Sequence, residues 1–285
     1  MHPWLVRYIV PTDVPLIGGQ DLSIPSLMFL ATVGFMLALG VVIREADRHK
    51  VEPRPLLDLS ILFLGTALVG GRLGHALLAD PRLYRDDPSA FFDVWRGGMD
   101  LFGALILSVA AAALFCRRRG LSLPRTLDVF APALSFGLIF GRLGALGAGS
   151  GYGRPIDFPV GIEWPWGVAF YSGQVPDVLR GVALHPVQLY LALGDLALFL
   201  LLRRVAARSP APGKVAATWA VAYGLMRLAL DTFRFDLARV VGPLSLTQLL
   251  GLALAVAGAV VLVRLPEAAA GGPAPGGPAP APGRA

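Results

Sequence analysis

Apolar runs of about 20 residues recur along this chain, parted by short polar segments, and a run of that length matches the hydrocarbon thickness of a bilayer. They fall at about 24–43, 57–79, 99–116, 127–147, 184–202, 215–233 and 244–264. Hydrocarbon offers no water to backbone N–H and C=O groups, so each run must close its hydrogen bonds internally, as a helix. The expected fold is all-α: a polytopic integral membrane protein of about seven transmembrane helices. Composition agrees, because 55% of residues are apolar and only 15% charged, too little charge to cover the surface of a soluble domain.

The net charge of +6 could suit nucleic acid, but the basic residues sit in short clusters between apolar runs, as in membrane proteins. No nucleic-acid partner is expected. Arg44, Arg48, Lys50 and Arg54 follow the first run, Arg117, Arg118, Arg119 and Arg125 the third, and Arg203, Arg204, Arg208 and Lys214 the fifth. The alternate segments are longer and poorer in such residues, so the positive-inside rule puts the N-terminus outside and the C-terminus in the cytoplasm. The first run is expected to serve as an uncleaved signal anchor, since Pro11 and Pro15 interrupt the approach to it. Cys116 is the single cysteine, which excludes an intramolecular disulfide; beside Arg117 at a helix end, it reads as a small apolar residue rather than a nucleophile.

Two outer segments exceed simple turns. Residues 80–98, with Phe91, Phe92 and Trp95 among charges, suit an interfacial arm. Residues 148–183, with Tyr152, Trp164, Trp166 and Tyr171 among glycines and prolines, suit a small extracytoplasmic head. These belong to a seven-helix transmembrane unit over 1–265, followed at 266–285 by a Pro/Ala/Gly-rich tail that cannot bury a core and is expected to be disordered in the cytoplasm.

Charged side chains inside apolar runs carry the functional signal, since each costs about 2.5–3.5 kcal/mol to insert and so needs a partner or a task. Arg72, Arg142, Arg227 and Asp231 stand out. Tyr223, Arg227 and Asp231 are spaced four apart and share one helix face, which Arg234 continues. An Arg227–Asp231 ion pair could satisfy both within one helix, yet it leaves Arg142 and Arg72 unexplained. Arginines reaching a bundle interior from several helices point to an anion, and guanidinium geometry suits phosphate. In a membrane that anion is a phospholipid headgroup. His185-Pro186-Val187-Gln188 opens the fifth run, where Pro186 suits a first helical position and Gln188 can reach back toward the chain entry. His75 reads either as a polar lining residue or as an interfacial one.

Taken in order, these segments resemble the prolipoprotein diacylglyceryl transferase family from about residue 24 to 262. The resemblance rests on Gly70-Gly71-Arg72-Leu73-Gly74, Trp95-Arg96-Gly97-Gly98-Met99, Asp128-Val129-Phe130-Ala131-Pro132, and Gly141-Arg142-Leu143-Gly144 through Gly153. It continues in Trp166-Gly167-Val168, His185-Pro186-Val187-Gln188-Leu189-Tyr190, Tyr223-Gly224-Leu225-Met226-Arg227 and Leu244-Ser245-Leu246-Thr247-Gln248. The resemblance implies a bacterial inner-membrane enzyme that moves the diacylglyceryl group of phosphatidylglycerol onto the lipobox cysteine of a prolipoprotein signal peptide. A thioether forms, glycerol-1-phosphate leaves, and neither a cofactor nor a metal takes part. Carried over by position, it implies Arg142, Arg227, Tyr223 and Asp231 as catalytic residues. Arg72, Gly141, Gly153, His185, Gln188 and Arg234 are implied at the substrate.

The chain also departs from the family pattern. Where members place a histidine and two glycines, it has Phe102-Gly103-Ala104; where they carry asparagines and a glutamate, it has Ala145, Ala148 and Ser150. Asp231 replaces a usual glutamate and Ser26 a common tyrosine. Two expectations follow. Either another group, Asp100, His75 or His185, activates the thiol, or the protein is a divergent paralogue that uses another acceptor or binds phospholipid without turnover.

Overall fold

The computed structural model of the chain describes residues 4–9, 21–92, 99–156, 167–170, 175–208 and 211–265. Trp95, Arg96, Gly97, Gly98, Trp164, Trp166, Tyr171 and the tail at 266–285 lie outside the described residues. Among those described, the long helices are α1 (Ser26–Arg48), α2 (Pro53–Gly74), α4 (Leu101–Arg119), α5 (Leu123–Ala148), α6 (Val187–Ala206), α7 (Lys214–Leu230) and α8 (Leu246–Arg264). Each overlaps one of the apolar runs. Five of them (α1, α2, α4, α5 and α8) are long and apolar enough to cross a membrane by length and composition. By contrast, α6 carries Asp195, Arg203 and Arg204, and α7 is only 17 residues long. The protein is thus a mainly helical, multi-pass membrane protein. Its outward side chains agree: Ile61 and Leu77 are each 71% exposed and Ile106 66%, a surface suited to lipid rather than water.

A short helix, α3 (Pro81–Asp86), and a 3-10 turn at Pro88–Phe92 form the described part of the 80–98 segment. Among the described residues there are three two-stranded antiparallel ribbons: β1 (Trp4–Ile9) with β2 (Asp21–Pro25) ahead of α1, and, between helices, β3 (Val168–Ala169) with β4 (Ala183–Leu184) and β5 (Arg239–Val241) with β6 (Leu244–Ser245). Phe170, Val175 and Leu179 of the 148–183 segment bury one another with Leu184 just beyond it, in a small cluster against which Tyr152 packs.

Helix ends follow local chemistry. Asp100 caps α4 by accepting from the Gly103 N–H at 2.7 Å, and Ser245 with Gln248 forms a capping box on α8. No side chain of its own caps α7; Asp128 of α5 accepts from the Gly213 and Ala216 N–H groups at 2.6 and 2.8 Å. That carboxylate satisfies two orphan donors and ties two helices together. The most extensive pairings are α1 on α5, α7 on α8, α2 on α4 and α5 on α6. Lipid tails give helices no hydrophobic reason to associate, so close approach through small residues must supply the packing. Gly70 meets Gly103 where α2 crosses α4: a Cβ on Gly70 would lie 2.6 Å from the Gly103 carbonyl oxygen.

Three expectations need correction. The first helix runs on to Arg48 because Glu45, fully buried, accepts from Arg48 at 3.2 Å and lies 3.5 Å from Arg203 of α6. Helix α7 stops at Leu230 and a 3-10 turn spans Asp231–Phe233, so Arg234 does not continue its face as a helical residue. Pro186 is the N-cap rather than the first residue of α6, and Gln188 donates not to the chain entry but to the Ser150 carbonyl at 2.9 Å. The entry from His185 is already held, its N–H donating to the Arg154 carbonyl, which leaves the amide for α5's end.

Candidate active site

A cavity of about 470 Å³ opens among the helix ends opposite the arginine-rich loops. Its wall takes Leu27 from α1, His75 after α2, Asp100 and Phe102 at the start of α4, Arg142 near the end of α5, Gln188 on α6, Arg227 on α7 and Thr247 on α8. Six of the seven long helices therefore meet there directly, and α2 reaches it through the residue just past its end.

Arg227 is 3% exposed and sits in a fixed frame. Its Nε and Nη2 both donate to Asp231 Oδ2, at 3.0 and 2.7 Å, and the Thr247 hydroxyl donates to the same oxygen at 2.7 Å. The spacing of four from Arg227 to Asp231, the C-cap residue of α7, makes this pair as the sequence suggests. The guanidinium carbon lies 6.0 Å from the Phe102 ring centroid. Phe102 thus occupies the wall beside the cation.

Arg142 enters from α5 and donates through Nη2 to the Tyr223 hydroxyl at 3.1 Å. Tyr223 is fully buried and stacked on Trp219, ring centroids 4.8 Å apart, so its oxygen is a fixed acceptor. Behind Arg142 stands Asp195 of α6, fully buried, with Oδ2 3.6 Å from Arg142 Nε. Sequence reasoning passed over Asp195, although it interrupts Leu191-Ala192-Leu193-Gly194 and Leu196-Ala197-Leu198 and meets the same rule that singled out the arginines.

Arg234 lines the cavity from the loop after α7 and forms a two-pronged pair with Asp236, at 2.9 and 2.6 Å. Its backbone bridges that of Gly153, a position with no room for a side chain, since a Cβ there would press on the His185 carbonyl and lie 2.9 Å from Val187. Gly153 therefore serves close packing. Gly141, by contrast, lines the cavity and has open space where a Cβ would stand. Nearby Tyr152 packs on Phe235, and burial, then the Asp236 carboxylate, push its phenol above its ordinary range, keeping it a neutral hydroxyl.

Two expected site residues stand elsewhere. Arg72, 3% exposed, does not line the cavity; it donates to the Tyr84 hydroxyl at 3.0 Å and the Ala90 carbonyl at 2.9 Å, tying α2 to the 80–92 segment. His185 also lies off the wall, its ring against Phe233 at 5.2 Å and Nδ1 3.3 Å from the Tyr190 hydroxyl. Of the three groups weighed for thiol activation, His75 and Asp100 face the cavity and His185 does not. Cys116 is buried, with Sγ 3.5 Å from the Thr126 hydroxyl, a packing contact between α4 and α5.

Three guanidiniums thus converge on one cavity, each braced by a carboxylate, a grouping whose charge suits an anion. Comparison with known proteins points the same way. The sequence model of the prolipoprotein diacylglyceryl transferases matches residues 17–264. A phosphatidylglycerol–prolipoprotein diacylglyceryl transferase of Geobacter sulfurreducens is 33% identical over 253 residues, covering 87% of this chain and 92% of the relative. One of the same name from Salmonella choleraesuis is 34% identical over 268 residues, with 87% and 90% covered, and one from Finegoldia magna is 27% identical over 236, with 82% and 88%. With its arginine-lined cavity inside the matched region, the chain belongs to the prolipoprotein diacylglyceryl transferase family.

Proposed function

We propose that this protein transfers the diacylglyceryl group of phosphatidylglycerol to the thiol of a prolipoprotein's lipobox cysteine, within its signal peptide. The sulfur bonds to the glyceryl carbon, that carbon's bond to the phosphate oxygen breaks, and glycerol-1-phosphate leaves with the electron pair. The observation that carries the reading is the placement of Arg142 and Arg227, on different helices, in one cavity with Arg234. Charge grows on the phosphate as it departs, and donors already fixed by Tyr223, Asp195 and Asp231 meet that charge without reorganising. Arg142 and Arg227 hold the phosphate; Tyr223 and Asp231 orient them; Arg234, Gly141 and Gln188 shape the headgroup end.

The relatives named above support the substrates, since each is named for phosphatidylglycerol and prolipoprotein. Binding without turnover finds no support among them. The setting is the bacterial inner membrane, with the N-terminus outside and the C-terminus in the cytoplasm. The cavity then opens toward the outer side, where a secreted acceptor is available, while the arginine-rich loops face inward.

The test mixes purified protein with acyl-labelled phosphatidylglycerol and a lipobox peptide, and reads the product by mass spectrometry. A mass gain of one diacylglyceryl group, absent in Arg142→Ala and Arg227→Ala, is expected. No gain beside an active family member as control overturns the reading.

A further inference from the structure

We propose that His75 is the general base for the acceptor thiol, held in place by Tyr84; this rests on the transferase reading above. A thiol must lose its proton to attack carbon, and at neutral pH an ordinary cysteine is mostly protonated. The cavity wall therefore needs a group that accepts a proton near neutrality. Arg142, Arg227 and Arg234 are permanent cations. Asp236 is engaged by Arg234 through both oxygens. Asp100 Oδ1 already accepts from the Gly103 N–H as the cap of α4. Histidine is the side chain whose ordinary titration falls nearest neutrality, and His75 is the remaining titratable lining group of the cavity among the described residues.

The packing of α2 on α4 puts that ring in place. A Cβ on Gly74 would lie 2.9 Å from Asp100 Oδ1 and from the Gly103 Cα, so α2 ends directly against the start of α4. His75 follows at once, in the wider π-turn of His75–Ala79. Such turns interrupt the helical ladder and recur at functional sites. The ring is then fixed from the arm side: His75 Nδ1 lies 3.0 Å from the Tyr84 hydroxyl, and Arg72 Nη1 donates to that same oxygen at 3.0 Å.

A phenolic oxygen has two lone pairs and can accept from both. In that arrangement Nδ1 carries the ring proton and Nε2 keeps its lone pair. The step is then balanced: the thiol proton moves to His75 Nε2, the sulfur pair forms the bond to the glyceryl carbon, and the carbon–oxygen pair departs on glycerol phosphate. Burial of the ring and then Arg72 disfavour the imidazolium at His75, while Asp80 and Asp100 favour it. Tyr84 from α3 faces it as well, 3.0 Å from Nδ1, and with the ring proton on Nδ1 its hydroxyl accepts in either protonation state.

The experiment compares the full-length protein with His75→Gln and Tyr84→Phe. Each is assayed with phosphatidylglycerol vesicles and two lipobox peptides, one with cysteine and one with selenocysteine. A selenol is ionised at neutral pH and needs no base. With the cysteine peptide, His75→Gln is expected to lose about 100-fold in kcat, while phosphatidylglycerol binding persists. With the selenocysteine peptide, the gap should shrink to within a few-fold. Tyr84→Phe removes an acceptor for the imidazolium, so the acid limb of its pH–rate profile should move to lower pH. An unchanged kcat in His75→Gln overturns the proposal, and so does an equal loss with both peptides, which marks His75 as structural. An unmoved acid limb removes Tyr84 from the positioning role. No transfer by the unsubstituted protein to either peptide overturns the transferase reading itself, a result distinct from all of these.

Discussion

Arg142 of α5 and Asp195 of α6 form an ion pair at 3.6 Å in which neither carboxylate oxygen has a hydrogen-bond partner among the described residues. Ionised groups deep in a bundle are costly unless paired. Here the carboxylate is fully buried, while the arginine side chain retains 18% exposure and lines the cavity, which fits a cation held from behind. Asp195→Ala should therefore slow transfer more than it weakens folding. A fall of about 100-fold in kcat is expected from a misplaced Arg142. The stability loss should reach no more than about 3 kcal/mol, the low end for an orphaned ion, because the cavity hydrates the arginine. Asp195→Glu should recover part of the rate. Transfer kinetics and thermal unfolding in detergent separate the two effects.

Much of this site could be read from the sequence. Tyr223, Arg227 and Asp231 are local: their spacing alone places them together, whereas Thr247 from α8, Phe102 from α4 and Arg142 from α5 come from distant helices and cannot be foreseen. The seven apolar runs became long helices, since hydrocarbon leaves the backbone few alternatives. Pairings between helices were not legible. Asp195 meets Arg142 across 53 residues of chain (195 − 142), a distance no periodicity encodes. Arg72 looked like a substrate contact because it is charged within an apolar run, but tertiary packing gives it Tyr84 and the Ala90 carbonyl instead. The short ribbons escaped notice for a similar reason, as strands of two or three residues carry no period to detect.

Arg227→Lys should behave almost as a deletion. Two nitrogens of the fork meet one Asp231 oxygen, and an ammonium cannot hold that bond and present a second donor to a phosphate in a fixed direction. A loss of about 100-fold or more in kcat is expected, the scale for removing one fixed donor from a developing anion. Steady-state transfer with saturating phosphatidylglycerol checks it, and wild-type turnover in the lysine variant would remove Arg227 from the phosphate.

Two glycines should respond in opposite ways. Gly224 on α7 faces Gly251 on α8, and a Cβ there would press on the Gly251 carbonyl and lie 2.9 Å from the Ala255 side chain. Gly224→Ala should cost about 1–3 kcal/mol through forced separation of the helices, and should lower the unfolding temperature. Gly141 lines the cavity with nothing within 4 Å of a would-be Cβ. Gly141→Ala should leave unfolding unchanged and alter only the apparent affinity for phosphatidylglycerol. Thermal melts of the pair, alongside vesicle binding, distinguish packing from lining.

Phe102 tests what an aromatic wall contributes beside the Arg227 cation. Its ring is buried, lines the cavity and stands 6.0 Å from the Arg227 guanidinium carbon. A cation beside an aromatic face gains about 0.5–2 kcal/mol, the larger value when water is excluded. That stabilises a charged Arg227 without donating to or competing for the phosphate. Phe102→Leu keeps the apolar bulk and removes the π face, so kcat/KM should fall by about 2- to 30-fold, that energy range expressed as a rate. Phe102→Tyr keeps the face and should stay near the unsubstituted rate. If bulk alone mattered, leucine would match phenylalanine and tyrosine, with its added hydroxyl, would be the slower variant; the order of the two rates decides which property of the ring the site uses.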